Sequence, residues 1–299
     1  MRAAAIFGLG SSPRDLRPFQ KNGQVEWVVG LPASAEGLDA ILVFGGDGTV
    51  HRHLDPLVKL GLPLLVVPAG SGNDFARALG IHRERDSRRA WERFASSARN
   101  VRTIDLGVMK PLSPEPSVSA PPGAAAGQRF FSCAGGVGLD GEISRRANAL
   151  PRWLRAHGGY ALSLPPALLG FRPFAVKLSA TQDPSGAFAG QSERKVVAVV
   201  FANTPVYGGG MRIAPKAAMD DGLLDACLIG DIGKIKLVTL FPSVYLGRHL
   251  GIREVEYFTA GRALVETEVP MDVYADGEFV CRTPVEFGVA PGVLPVIVP

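Results

Sequence analysis

The apolar run Ala40-Ile41-Leu42-Val43 leads straight into Phe44-Gly45-Gly46-Asp47-Gly48-Thr49-Val50. An apolar run of this length bounded by glycine reads as a strand buried on both faces. Such strands belong to parallel sheets covered by helices. The turn after it lacks β-carbons at three positions, so its backbone can approach an anion closely and adopt positive φ. The amides beyond the turn start a helix, and helix N-termini favour negative charge. Asp47 sits oddly among groups suited to phosphate. It makes sense there if a divalent cation lies between them, or if the carboxylate polarises an attacking hydroxyl. Alone, the same letters equally suit a plain strand-turn-helix connection.

The surrounding chain extends this pattern. Strands are expected over 3–7, 25–29, 40–44 and 64–67. Ser12-Pro13 is a helix-start signal, and helices are expected over 49–60, 73–79 and 87–98. Pro56 is expected to kink or restart the first of these three. From about residue 101 the texture changes. Segments 103–108, 130–134, 174–179, 195–201, 223–229, 255–259, 263–267, 271–274, 285–289 and 294–298 all read as strands, most of them separated by turn chemistry. Stretches 111–127 and 182–193 read as exposed loops. The expectation is an α/β N-terminal domain with a parallel sheet over residues 1–106, and a C-terminal antiparallel β-sandwich or barrel over 107–299. A final strand near 289–299 is a candidate to return to the first domain, and a cleft is expected between the two.

A chain of 299 residues with 46% hydrophobic and 20% charged residues can bury a sizeable core. The net charge of +4 suits an anionic membrane surface, a nucleotide or nucleic acid, and selects none of them. Cys133, Cys227 and Cys281 are far apart and form no CxxC pair, which supports neither a zinc site nor a disulfide framework. Each is expected to be a buried thiol. The opening Met1-Arg2-Ala3-Ala4-Ala5-Ile6-Phe7 is too short an apolar stretch for a signal peptide, and no apolar run is long enough for a membrane span. A cytoplasmic location is expected.

A second glycine-rich turn, Pro68-Ala69-Gly70-Ser71-Gly72-Asn73-Asp74, follows the fourth strand. Ser71 and Asn73 can donate hydrogen bonds to phosphate, and Asn73 or Asp74 can cap the next helix. Two such turns after neighbouring parallel strands converge on one edge, where open α/β sheets bind ligands. A nucleotide site built from Gly45, Gly46, Asp47, Gly48, Thr49, Gly70, Ser71, Gly72 and Asn73 is expected.

With these motifs on one chain, the sequence resembles the catalytic domain of diacylglycerol kinases and related lipid kinases, including the sphingosine kinases. Tyr207-Gly208-Gly209-Gly210-Met211-Arg212-Ile213-Ala214-Pro215, Asp220-Asp221-Gly222-Leu223-Leu224-Asp225 and Asp276-Gly277-Glu278 match the family's later motifs. The resemblance implies an NAD-kinase-like α/β domain, a β-rich domain, and ATP- and Mg2+-dependent phosphorylation of a lipid hydroxyl between them. It places Gly46, Asp47, Gly48 and Thr49 on the phosphate loop and Ser71 on a second nucleotide contact. Ala218, Asp221 and Leu223 fall on a structural Mg2+ site, two of them through backbone carbonyls. Glu278 falls on the catalytic base and Asp140 near an aspartate that contacts the acceptor head group. Asp47, Asp276 and Glu278 are the catalytic candidates, and the choice of base between Asp47 and Glu278 stays open. The acceptor would be diacylglycerol, phosphatidylglycerol or a sphingoid base, met at a membrane surface. No nucleic-acid partner is expected, peripheral association with the inner membrane face is compatible with the reading, and a homodimer stays open.

Simpler accounts exist for single motifs: an Asp-Gly hairpin turn at Asp276-Gly277, an Asp-Asp-Gly turn at Asp220-Asp221-Gly222, and a helix-capping aspartate at Asp140. Arg145, Arg146, Arg152, Arg155 and Arg172, interleaved with Leu150, Trp153, Leu154, Tyr160, Leu168 and Leu169, suit either an anionic bilayer or a solvated helix face. His51 and His53 are read as helix-surface residues. Many relatives carry Asn-Glu where this chain has His51-Arg52; the histidine resembles the sphingosine kinases and the arginine neither group. Two other readings remain: an NAD kinase, and a non-catalytic nucleotide- or lipid-binding relative.

Overall fold

The structure is a computed structural model that describes residues 1–20, 25–97, 99–112, 127–151, 159–188 and 190–299. The chain begins with β1 (Arg2–Phe7), a 3-10 turn (Pro13–Phe19), β2 (Glu26–Val29), β3 (Ala40–Gly45), α1 (Asp47–Leu60), β4 (Leu64–Pro68), α2 (Asp74–Ala78) and α3 (Glu84–Ser97). Strands β2, β1, β3 and β4 lie side by side and parallel. All of β3 is buried, as its unbroken apolar sequence requires. Helix α1 packs on β3 and α3 on β4. Ser12 begins the 3-10 turn with a capping box to Asp15 and Pro13 at its first position, so the start signal is real but opens a tighter helix than an α-helix.

Helix α1 does not break at Pro56. It runs on to Gly61, whose φ of 60° closes it, with the Gly61 N–H donated to the Leu57 carbonyl at 3.1 Å. Leu54 and Leu57, on either side of the proline, are both buried. Packing offsets the backbone bond that proline removes.

The second half contains β5 (Val101–Pro111), β6 (Arg129–Phe131), β7 (Ala134–Gly138), α4 (Leu139–Ala149), α5 (Gly159–Gly170), β8 (Phe174–Thr181), β9 (Ser192–Ala202), β10 (Leu224–Gly230), α6 (Lys234–Tyr245), a 3-10 turn (His249–Gly251), β11 (Val255–Ala260), β12 (Arg262–Thr267), β13 (Asp272–Ala275), β14 (Glu278–Arg282) and β15 (Val285–Ile297). The strands are antiparallel, in the order β14-β13-β7-β9-β8-β12-β15, with β10 and β11 branching from β9. This is the expected fold class, a parallel α/β half joined to an antiparallel sandwich. Helix α4 lies on β7, β9 and β13; α5 packs on α4, and α6 on α5. No described helix is long and apolar enough to cross a membrane.

Strand β15 is one element where two were expected. Its partner β5 is continuous, pairing Val285 with Pro111 at one end and Ile297 with Val101 at the other. The extra residues are absorbed in a bulge between Ala290 and Leu294, where Gly292 takes a φ of 58° and donates its N–H to Asp105 at 2.7 Å. Near its end, Val296 pairs with Leu64 of β4 in parallel, so β15 belongs to both sheets. Conversely, the segment read as one strand over 130–134 is two, β6 and β7. The amides between them are committed to a side chain instead of a ladder, as described below. The sequence carries no clear start signal for α6, which contains Pro242.

The sandwich core centres on Phe287, which stacks on Phe201 at 4.5 Å and meets Phe131 edge-on at 6.4 Å; all three are fully buried. Phe287→Ala is expected to lower stability by about 3–5 kcal/mol. Urea unfolding should show a lower midpoint with an unchanged slope.

Candidate active site

Three strand ends meet at the carboxyl edge of the parallel sheet. Gly8 follows β1 and donates its N–H to the Phe44 carbonyl at 2.8 Å. A β-carbon on Gly8 would lie 2.1 Å from Thr49 Oγ1, and one on Gly45 would lie 2.5 Å from the same atom. The two glycines thus make a slot that the Thr49 side chain fills. A β-carbon on Gly46 would stand 2.8 Å from Gly70 Cα, and one on Gly70 only 2.5 Å from Gly46 Cα. The two glycine loops therefore touch backbone to backbone, as the sequence predicted from their convergence. Gly46 is the N-cap of α1 and has no side chain to cap it. Unpaired amides of a first helical turn facing a groove suit an anion.

The second loop closes on itself. Asn73 adopts a φ of 57°, accepts the Gly70 N–H at 2.9 Å through Oδ1, and donates from Nδ2 to the Gly70 carbonyl at 2.6 Å. Its side chain does not cap α2. Asp47 does so from the neighbouring loop, accepting the N–H groups of Asp74 and Phe75, each at 3.0 Å. Gly72 makes room for this, since a β-carbon there would lie 2.7 Å from Asp47 Oδ2. Burial, then the nearby Asp74 carboxylate, push the Asp47 pKa up to about 6 against the pull of the two amides. Asp74 is itself buried, and burial raises its pKa too. It accepts the Gly209 N–H at 2.6 Å and pairs with Arg77 at 2.6 Å. Asp74 thereby ties the Gly208-Gly209-Gly210 loop of the second half to the nucleotide-loop edge of the first.

The Asp276-Gly277-Glu278 motif is also the hairpin turn. Asp276 and Gly277 take φ values of 48° and 84°, the left-handed pair that a two-residue β13–β14 connection needs. The Asp276 carboxylate has no exposed surface. It accepts the N–H groups of Ser132 at 2.8 Å, Cys133 at 2.8 Å and Ala134 at 3.3 Å, and the Ser132 hydroxyl at 3.0 Å. These bonds break the expected 130–134 strand in two. His51 Nδ1 lies 3.0 Å from the same carboxylate, with 15% of its side chain exposed. His51 is thus not a helix-surface residue; His53 is half-buried. Burial alone would raise the Asp276 pKa, but the His51 hydrogen bond and charge and the amides of Ser132 and Cys133 outweigh it and hold the carboxyl below its ordinary value. Burial opposes charge on His51 as well, and its bond to Asp276 with the charges of Asp276, Glu278 and Asp55 outweighs that, so its pKa is raised. Glu278 remains exposed at the start of β14, and its Oε1 would lie 3.4 Å from a β-carbon on Gly48.

Asp140, buried at the start of α4, accepts the Tyr207 hydroxyl at 2.5 Å. The pair sits in the wall of an apolar slot that also includes Ile143, Met211, Leu237 and Phe241. In the 218–223 turn, the Asp221 carboxylate accepts the Leu223 N–H at 3.1 Å. Asp105, a buried residue of β5 with no motif to mark it, clamps this turn by accepting the Gly222 N–H at 2.8 Å. The candidate Mg2+ set of Ala218, Asp221 and Leu223 offers one carboxylate and two carbonyls, the hard oxygen donors that ion takes. Of the arginines read as a membrane face, Arg145 and Arg146 both pair with Glu142, and Arg172 is exposed. Arg152, Trp153, Leu154 and Arg155 lie outside the described residues, as does most of the 111–127 loop. Cys133 and Cys227 are buried thiols, and Cys281 is half-buried.

Comparison with known proteins adds an independent line. Residues 15–109 match the diacylglycerol kinase catalytic domain, and residues 134–298 match the YegS C-terminal NAD kinase β-sandwich-like domain. A diacylglycerol kinase of Mycobacterium tuberculosis is 32% identical over 89% of this chain and 79% of its own. One of Bacillus subtilis is 28% identical over 85% of this chain and 76% of its own. Among solved structures, a diacylglycerol kinase from Bacillus anthracis superposes with a TM-score of 0.66 at 20% identity, covering 100% of this chain and 97% of the other. That likeness establishes the fold.

The Asp47 geometry has a pH signature. A carboxyl whose folded pKa, about 6, lies above its ordinary value of 3.8 binds its proton more tightly when native. Stability is therefore lost as pH rises between those values, by about 3 kcal/mol in all. Relative to Asp47→Asn, the wild-type chain is expected to lose stability from about pH 4 to about pH 6 and to run parallel above that, in urea unfolding across a pH series.

Proposed function

The chain belongs to the diacylglycerol kinase catalytic-domain family and is a lipid kinase; from that premise we propose that it transfers the γ-phosphate of ATP to a lipid hydroxyl in the groove between the glycine loops and the β13–β14 hairpin. The observation that carries this reading is Glu278. A residue from the sandwich half has its carboxylate beside Gly48, in the first turn of α1. Phosphoryl transfer asks mainly for positioning and charge neutralisation. The touching glycine loops offer backbone that can follow a polyphosphate closely, and the α1 N-terminus offers amides to it. Glu278 is the exposed carboxylate of the candidates, free to orient the acceptor hydroxyl and take its proton. Asp47 and Asp276 have spent their oxygens on backbone amides, which favours Glu278 over Asp47 as the base. A structural Mg2+ would be held by Ala218, Asp221 and Leu223, and a Mg2+ carried with the nucleotide would supply charge neutralisation at the phosphates.

The acceptor end also supports a lipid. The slot beside Asp140 and Tyr207 is lined mostly by apolar side chains, which is the chemistry an alkyl chain takes, but its free volume of about 30 Å³ admits one only if those side chains move apart. Helix α6 lines that slot with Leu237, Phe241 and Val244. On its other side Ile235, Val238 and the adjoining Leu246 stand exposed, an apolar face suited to a membrane surface, while Lys236 is paired with Glu254 and Lys234 donates to the Leu169 carbonyl. Diacylglycerol is the first acceptor to try, because it is the substrate in the names of the relatives; phosphatidylglycerol and a sphingoid base follow.

The test is an assay with labelled ATP and mixed micelles containing each acceptor in turn, alongside NAD. A labelled phospholipid is the expected product; labelled NADP without any lipid product would sink the reading. Glu278→Gln is expected to lower kcat by about 10²–10⁴-fold. Its affinity for ATP, measured by calorimetry, should stay that of the wild type.

A further inference from the structure

Asp276 and Glu278 stand two residues apart on one hairpin and meet one helix. Asp276 reaches His51 of α1, and Glu278 reaches Gly48. Positions 48 and 51 are three apart, so they share a face of α1 one above the other. The hairpin is therefore joined to that face by the His51–Asp276 bond, with the Glu278 carboxylate beside the space that a side chain at Gly48 would fill. The sandwich side of the hairpin is fixed separately, because the Asp276 carboxylate also holds Ser132, Cys133 and Ala134. Asp276 is thus a rigid post on the sandwich, and His51 is where the helix of the phosphate loop takes hold of it. The bond is almost wholly shielded from water, which makes it stiff and directional.

We propose that His51 is a positioning residue for phosphoryl transfer: its hydrogen bond to Asp276 sets the height of the β13–β14 hairpin over α1, and with it the reach of Glu278 to the groove at Gly48. The function rests on Nδ1 being a donor, with Asp276 accepting. The geometry gives His51 a purpose. An aliphatic residue at position 51 would leave the buried Asp276 oxygen without its partner from α1. Asparagine would keep one, since its Nδ2 lies as many bonds from Cα as histidine Nδ1 does.

This inference rests on Glu278 being the base, and a double-mutant cycle separates the two claims. The full chain is assayed with labelled ATP and the lipid acceptor that the wild type phosphorylates, as wild type, His51→Ala, His51→Asn, Glu278→Gln and the His51→Ala/Glu278→Gln double variant. His51→Ala is expected to lower kcat by about 10–100-fold, the scale of a misplacement near 1 Å, with KM for ATP little changed. His51→Asn is expected to recover most of that loss. In the Glu278→Gln background His51→Ala should cost nothing further, because its effect passes through Glu278. A folded His51→Ala with kcat within about twofold of wild type overturns the inference. So does an undiminished His51→Ala effect in the Glu278→Gln background. Where His51→Ala fails to fold, a folded His51→Asn as impaired as Glu278→Gln overturns it, since the donor alone then does not suffice. Full turnover in Glu278→Gln, by contrast, removes the base assignment itself.

Discussion

A carboxylate with no exposed surface costs several kcal/mol to desolvate unless donors surround it. Asp276 is such a group, and the donors it collects decide where the second half of the molecule stands. Three come from consecutive backbone amides at Ser132, Cys133 and Ala134, one from the Ser132 hydroxyl, and one from His51 on the opposite half. The amides cannot join a ladder and the carboxylate at once, so β6 ends and β7 begins there. The same residue occupies a left-handed turn position with Gly277, which directs Glu278 away from the sandwich and toward α1. One side chain thus ends a strand, makes a hairpin turn and fixes the approach of the next carboxylate.

The pattern recurs. Asp47 caps α2 from another loop, Asp74 holds Gly209, and Asp105 holds both Gly222 and Gly292. Each is a carboxylate accepting backbone amides of a glycine-rich or tightly turned segment. Such segments carry few side chains to pack, so a core cannot anchor them. Charge-assisted hydrogen bonds from a neighbouring element can, because they need only the amide. The glycines and the carboxylates are complementary parts of one device: Gly72 lacks the β-carbon that would strike Asp47 Oδ2 at 2.7 Å, and Asp47 supplies the cap that the short helix α2 lacks.

This explains which parts of the molecule could be read from the chain. The buried runs of β3 and β4, the two glycine turns and the Asp-Gly hairpin are local signals. Each states its own conformation within a few residues, and the convergence of the turns follows from parallel topology. The division of labour among Asp47, Asp276 and Glu278 is not local. All three are acidic residues beside glycine, and what separates a buried brace from an exposed carboxylate is a set of partners up to 225 positions away. His51 read as a helix-surface residue, and its bond to Asp276 becomes visible only with the hairpin in place. Strand β15 was split in the reading because its bulge contains proline and glycine; the continuous partner β5 that holds it together lies far earlier in the chain. Asp105 sits in an ordinary strand pattern, and nothing in that pattern marks the two turns it secures.

Burying several carboxylates at the edge of a phosphate-type loop would seem self-defeating, since their field repels an anion. Their orientation resolves the conflict. Asp47 and Asp276 spend their charge on amides within hydrogen-bond distance, where it is largely neutralised, and His51 offsets Asp276 further. The residual cost shows at Asp47, whose pKa of about 6 records burial and a like-charged neighbour that two amides do not fully cancel. That cost buys rigidity at the place where two backbones touch. Glu278 bears no such burden: it is exposed, and its carboxylate lies beside Gly48 at the start of α1. The geometry therefore separates the acids committed to bracing backbone from the one left exposed. In the β13–β14 turn, two positions only two residues apart divide in this way: Asp276 is buried among donors and Glu278 is exposed.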